Sequence, residues 1–122
     1  MKNKNATRYY SNEHEMQVCH LLGAKQTPNS GAGLWRKGDC IQEDASLLIE
    51  CKTVTKEKQS MSIRKDWIEK DEEEAFMQRL DFSCIAFNFQ PGGRNYFVID
   101  EKLMKFLVGK LIEFKEGKTG DE

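Results

Sequence analysis

An aspartate at position 39, followed after ten intervening residues by Glu50-Cys51-Lys52, is the group of side chains in this sequence best suited to chemistry. Side chains on a strand alternate faces, so Glu50 and Lys52 project together in register with Leu48, while Leu47, Ile49 and Cys51 face the other way. Asp39, at the start of a neighbouring strand, would add a second carboxylate. Paired carboxylates can hold a hard divalent cation, and a lysine beside them can orient or activate a water. That is the chemistry of phosphodiester hydrolysis. The plain alternative for Lys52 is a strand-surface salt bridge with Glu50.

Elements must bring these residues together, and the chain supplies them in a readable order. A helix is expected from a cap at Ser11 or Asn12 to Gly23, with Val18, Cys19, Leu21 and Leu22 as its apolar stripe. Glu15 lies on that stripe, three residues before Val18 and seven before Leu22, and Glu13 lies less squarely on it. A carboxylate on the core-facing edge of a helix must be paired, hydrated or metal-bound, so Glu15 is a candidate third acid. Residues 25–34 read as irregular or as a short extended segment around Pro28, Gly31 and Gly33. Trp35, Arg36 and Lys37 follow, an indole and two cations that could stack on and grip a nucleic acid. A core position is the alternative for Trp35.

Two strands, 39–42 and 46–54, form a hairpin across the polar turn Glu43-Asp44-Ala45. A basic loop over 55–60 leads to a helix over 63–80, capped by Ser62. Its apolar face comprises Ile63, Trp67, Ile68, Ala75, Phe76 and Leu80, with a charged interruption at Asp71 and Glu72. Strands are expected at 82–89 and 96–99, separated by a turn at Pro91-Gly92-Gly93. Asp100 caps a last helix in which Leu103, Phe106, Leu107, Leu111 and Phe114 recur at helical spacing. The order α-β-β-β-α-β-β-α predicts an α/β fold, a mixed sheet flanked by helices. At 122 residues it is read as one domain, with residues 1–10 and 115–122 as flexible ends.

Composition narrows the setting. With 32% charged residues and no long apolar run, a membrane span is excluded. The opening MKNKNATRYY has no apolar segment to act as a signal peptide, so a cytoplasmic location is expected. The four cysteines, Cys19, Cys40, Cys51 and Cys84, form no Cys-x-x-Cys pair and are read as buried free thiols. The net charge of −1 conceals segregation. Lys52, Lys56, Lys58, Arg64 and Lys65 face only Glu57, whereas Asp66, Glu69, Asp71, Glu72, Glu73 and Glu74 face only Lys70. A basic rim able to meet phosphates, with an acidic helix turned to solvent, is one reading; ordinary solvated faces are the other.

The spacing of Asp39 and Glu50-Cys51-Lys52 resembles the Asp...Glu-x-Lys motif of the PD-(D/E)XK nuclease superfamily. The resemblance extends to EMQVCHLLGAKQTPNSGA at 15–32, KGD at 37–39, LLIECKT at 47–53 and SIRKDWIEKDEEEA at 62–75. Together these segments resemble small phage and prokaryotic Holliday-junction resolvase-like endonucleases, with the archaeal resolvases more distant, over residues 13–100. Gly38 stands where the motif has proline. The resemblance implies a restriction-endonuclease-like core and a metal-dependent endodeoxyribonuclease acting on four-way junctions in DNA recombination and repair. It implies Asp39, Glu50 and the Cys51 backbone carbonyl as ligands of Mg2+, with Mn2+ able to substitute, and Glu15 completing the acidic cluster. Lys52 would position or help deprotonate the attacking water, and Ser30 would lie near the scissile phosphate. Ser30, Trp35, Arg36, Lys37, Lys56, Lys58, Arg64 and Lys65 are the expected DNA contacts. Symmetric resolution of a junction needs two sites, hence a homodimer formed through Met104, Val108 and Ile112. A nuclease for other branched, nicked or duplex DNA and a non-catalytic nucleic-acid-binding module of the same fold are the alternatives.

Overall fold

The computed structural model describes residues 4–27 and 39–117. In chain order these form α1 (Lys4–Leu22), β1 (Lys25–Gln26), β2 (Asp39–Gln42), β3 (Leu47–Lys52), α2 (Lys65–Met77), β4 (Phe82–Phe87), β5 (Tyr96–Val98) and α3 (Glu101–Gly117). The strands make one five-stranded sheet in the order β1-β2-β3-β4-β5. β3 and β4 run parallel and every other neighbouring pair is antiparallel. The fold is therefore α/β with a mixed sheet, in the predicted element order. α2 supplies the crossover that a parallel pair requires.

β3 is the central strand, and four of its six residues are buried. On one side of the sheet Val18 and Cys19 of α1 pack with Cys40, Ile49, Cys51, Cys84 and Ala86 to form the apolar core. α2 packs against β3 and β4. Gly23 ends α1 at φ 63°, where a residue with a Cβ is strained, and the amide of Ala24 donates to the Cys19 carbonyl at 2.8 Å to close the last turn. The Gln42 side chain donates to the carbonyls of Leu22 (3.2 Å) and Gly23 (2.9 Å), tying the helix end to β2. Ser46 occupies the left-handed region at φ 55°, and its hydroxyl and carbonyl accept from the amides of Asp81 and Phe82. The hairpin turn thus fixes where β4 begins.

Several expectations are corrected. α1 starts at Lys4 rather than at the polar pair Ser11-Asn12, because nothing between Lys4 and Gly23 breaks a helix and local capping preference yields to that continuity. α2 runs from Lys65 to Met77, shorter at both ends than 63–80, and Arg64 rather than Ser62 stands at its N-cap. Phe76 lies off the buried face and is 79% exposed. Cys19 and Cys40 are joined as a disulfide, leaving Cys51 and Cys84 as the buried free thiols. Asp100 does cap α3, accepting from the Leu103 amide at 2.9 Å. Within that helix only Leu103 is buried; Met104, Phe106, Leu107, Val108, Leu111, Ile112 and Phe114 are exposed. Among the described residues no helix is long and apolar enough to cross a membrane.

Candidate active site

The antiparallel pairing of β2 with β3 sets Asp39 directly opposite Glu50. Residues paired in this way share a face of the sheet, so the two carboxyls are neighbours by register alone. The Asp39 backbone is held from the other side as well, its carbonyl accepting from the Thr27 amide at 3.1 Å. Lys52, two residues beyond Glu50, shares their face, and its Nζ lies 3.1 Å from Glu50 Oε2. The sequence reading of Asp39, Glu50 and Lys52 as one constellation therefore matches their placement. The salt bridge with Glu50 is present too.

α2 forms the second wall of this site. Four residues of helix advance about 6 Å and two residues of strand about 6.6–6.8 Å, so helix positions four apart can stand over alternate strand positions. Trp67 places its ring 4.3 Å from Lys52 Nζ. Asp71, one helical turn on, shares a hydrogen bond with Glu50. Asp71 is 3% exposed, as is Asp39, and Glu50 is 6% exposed. An acidic helix wholly turned to solvent is thus corrected at Asp71, which points inward between Trp67 and Ala75. Asp71 Oδ2 is buried and has no hydrogen-bond partner among the described residues.

Burial beside Glu50 changes the titration of Asp39 and Asp71. Burial, then the hydrogen bond to Glu50 and its charge, push Asp39 up to about 9, with Glu74 and Asp71 adding to the effect. Burial and then Glu50 push Asp71 up to about 8, against the pull of Lys52. At neutral pH the cluster holds protons that ordinary carboxylates would have released. Cys51, on the opposite face, is pushed up as well, by burial and then by Glu15, Asp39 and Glu50. That thiol serves packing rather than nucleophilic attack.

Glu15 is the buried acid of α1, and Glu13 is exposed. Its helix packs against β2 and β3, with Cys40 Sγ 3.5 Å from the Glu15 carbonyl oxygen. The influence of its carboxylate is felt at Cys51, on the α1 side of the sheet. Lys56 and Lys58 are exposed on the loop after β3, which the amide of Lys58 anchors to the Phe89 carbonyl at 2.8 Å, beyond the end of β4. Thr53 donates to Asn88 at 2.8 Å, joining the same ends of β3 and β4. Arg64 and Lys65 are occupied by exposed pairs with Asp66 (2.9 Å) and Glu69 (3.7 Å). Such pairs contribute little and can yield to a phosphate. Ser30, Trp35, Arg36 and Lys37 lie outside the described residues.

Sequence reasoning missed Asp71 and Trp67 as site residues. The signal for Asp71 was its spacing, four after Trp67 and four before Ala75 on the apolar stripe, the same test that singled out Glu15. Among the described residues no three His, Cys, Asp or Glu side chains are disposed to hold one ion as they stand. The donor chemistry nonetheless fits a hard divalent cation at two positions. Asp39 and Glu50 are cross-strand neighbours that bring only oxygen, and a cation beside them would offset the burial and the Glu50 charge that raise Asp39. Comparison with known proteins finds no matching family model, and no match among curated proteins or solved structures.

Proposed function

We propose that this chain is a metal-dependent endonuclease of the PD-(D/E)XK type that hydrolyses DNA phosphodiesters in the cytoplasm. The observation that carries the reading is the cross-strand pairing of Asp39 with Glu50 next to an inward-held Lys52. A Mg2+ ion, when bound, would supply Lewis-acid stabilisation of the phosphate charge and a water of lowered pKa. Asp39, Glu50 and the Cys51 backbone carbonyl would hold it. Lys52 would donate to the attacking water or to a phosphate oxygen, fixing the line of attack. Lys56 and Lys58, on the loop anchored beyond β4, supply positive charge near the end of β3 that carries Lys52.

The preferred substrate is a four-way DNA junction, and the active form a homodimer. Support for the dimer comes from α3, whose Met104, Leu107, Val108, Leu111, Ile112 and Phe114 leave a largely uncovered apolar surface. Incubation with Mg2+ and a panel of labelled junction, fork, nicked and linear DNAs tests the reading. Paired symmetric nicks in the junction, abolished by EDTA and reduced by Lys52→Ala to a slow residual rate, are expected. A highly purified Lys52→Ala protein cutting as fast as wild type would sink the nuclease assignment, and equal digestion of every DNA would sink the junction preference alone. Leu111→Asp should halve the mass observed in sedimentation equilibrium; an unchanged mass would remove α3 from the dimer contact.

A further inference from the structure

We propose that Trp67 is a positioning residue for Lys52, its indole fixing the ammonium while Glu50 is engaged elsewhere. The proposal rests on the nuclease reading and deepens it. Lys52 has two anchors from two elements. Glu50 reaches it along its own strand at 3.1 Å, and the Trp67 ring approaches from the first turn of α2 at 4.3 Å. A lysine stem has four rotatable carbons, and this side chain is 22% exposed, so the ammonium needs an anchor to keep one position.

The two anchors differ in what competes for them. A divalent cation held by Glu50 would draw on the same carboxylate charge that binds Lys52, and would also repel the ammonium. The indole takes no part in ligating a hard cation, whose preference is for oxygen. Its negative ring face attracts the ammonium without consuming all three N–H donors, so some remain for water or a phosphate oxygen. Helix geometry fixes the pairing. With Asp71 standing at Glu50, Trp67 one turn earlier stands at Lys52, and no other α2 aromatic can replace it, since Phe76 faces solvent.

The test uses the full chain, single-turnover cleavage of labelled DNA in Mg2+, and calorimetric Mn2+ binding. Trp67→Leu should slow cleavage by roughly 10- to 100-fold, the scale at which misplacing a reacting group acts. Trp67→Phe should restore most of that loss. In a Lys52→Ala background Trp67→Leu should have no further effect on the residual rate, and Mn2+ affinity should stay within about two-fold, because pairs acting as a unit are non-additive. An activity-independent readout is the upfield ring-current shift of the Lys52 ε-methylene in 13C-lysine-labelled protein, present in wild type and lost in Trp67→Leu. Wild-type cleavage by Trp67→Leu, equal losses in both backgrounds, or lost Mn2+ binding would each overturn the positioning role in favour of packing. If the ring-current shift is present but wild type cuts no DNA, the nuclease reading fails while the contact stands.

Discussion

The two faces of β3 carry the same strand and opposite priorities. Toward α1, Ile49 and Cys51 join Val18, Cys19, Cys40, Cys84 and Ala86 in an apolar core that asks nothing of its members but shape. Toward α2, Leu48 is followed by Glu50 and Lys52, met by Asp39 from β2 and by Trp67 and Asp71 from the helix. Both faces are buried, yet only one is stabilised by its burial. Burial first, and then Glu50, raises Asp39 across the strand pair to about 9 and Asp71 on the helix to about 8. A fold selected only for stability would replace them by apolar residues of similar volume. On the proposed nuclease reading, the contrast assigns stability to the α1 face and chemistry to the α2 face.

The sharpest way to break that division is to substitute adjacent residues of one strand. Glu50→Gln should reduce cleavage by about three orders of magnitude or more, since a cation's stabilisation of transition-state charge amounts to several kcal/mol and about 1.4 kcal/mol is a factor of ten. Its thermal midpoint should hold or rise, as one charge leaves the crowded face. Ile49→Ala, one residue away and fully buried, should show the reverse. It should destabilise by about 2–5 kcal/mol in urea titration, while the rate per folded molecule in single-turnover cleavage stays near wild type. A Glu50→Gln protein that unfolds readily, or an Ile49→Ala protein that is stable but inactive, would erase the distinction between the faces.

Strand parity made the α2 face legible in the sequence at Asp39, Glu50 and Lys52, because a period of two needs no tertiary knowledge once the strand is recognised. The element order and the Asp100 cap were legible for the same local reason. Asp71 was obscured by its neighbours. Inside a run of acids it reads as one more solvated charge, although its offset from Trp67 and Ala75 places it on the stripe that packs inward. Phe76 failed in the opposite direction, an apolar residue one step past Ala75 that the helical period carries to solvent. The Cys19–Cys40 pair left no local trace. It depends on α1 lying across β2, a long-range placement between residues 21 apart that no motif announces.

The smallest expected effect tests the comparison most directly, because it asks the α2 face to reveal its own instability. In the folded protein Asp71 keeps its proton up to about pH 8, whereas in the unfolded chain it ionises near 3.8. Between those values the folded state binds more protons, so stability falls as pH rises through the window, and the penalty is complete above it. Asp71→Asn removes that titration and also lifts one negative neighbour from Asp39. In EDTA, the thermal midpoint of Asp71→Asn should match wild type near pH 4 and exceed it by several degrees at pH 8–9, the gap widening steadily between. Scanning fluorimetry at four or five pH values measures this. A gap that is constant with pH would mean that Asp71 acts through packing. A variant less stable than wild type at pH 8 would mean that the buried carboxylate is a net contributor to the fold, and that the α2 face is built like the other.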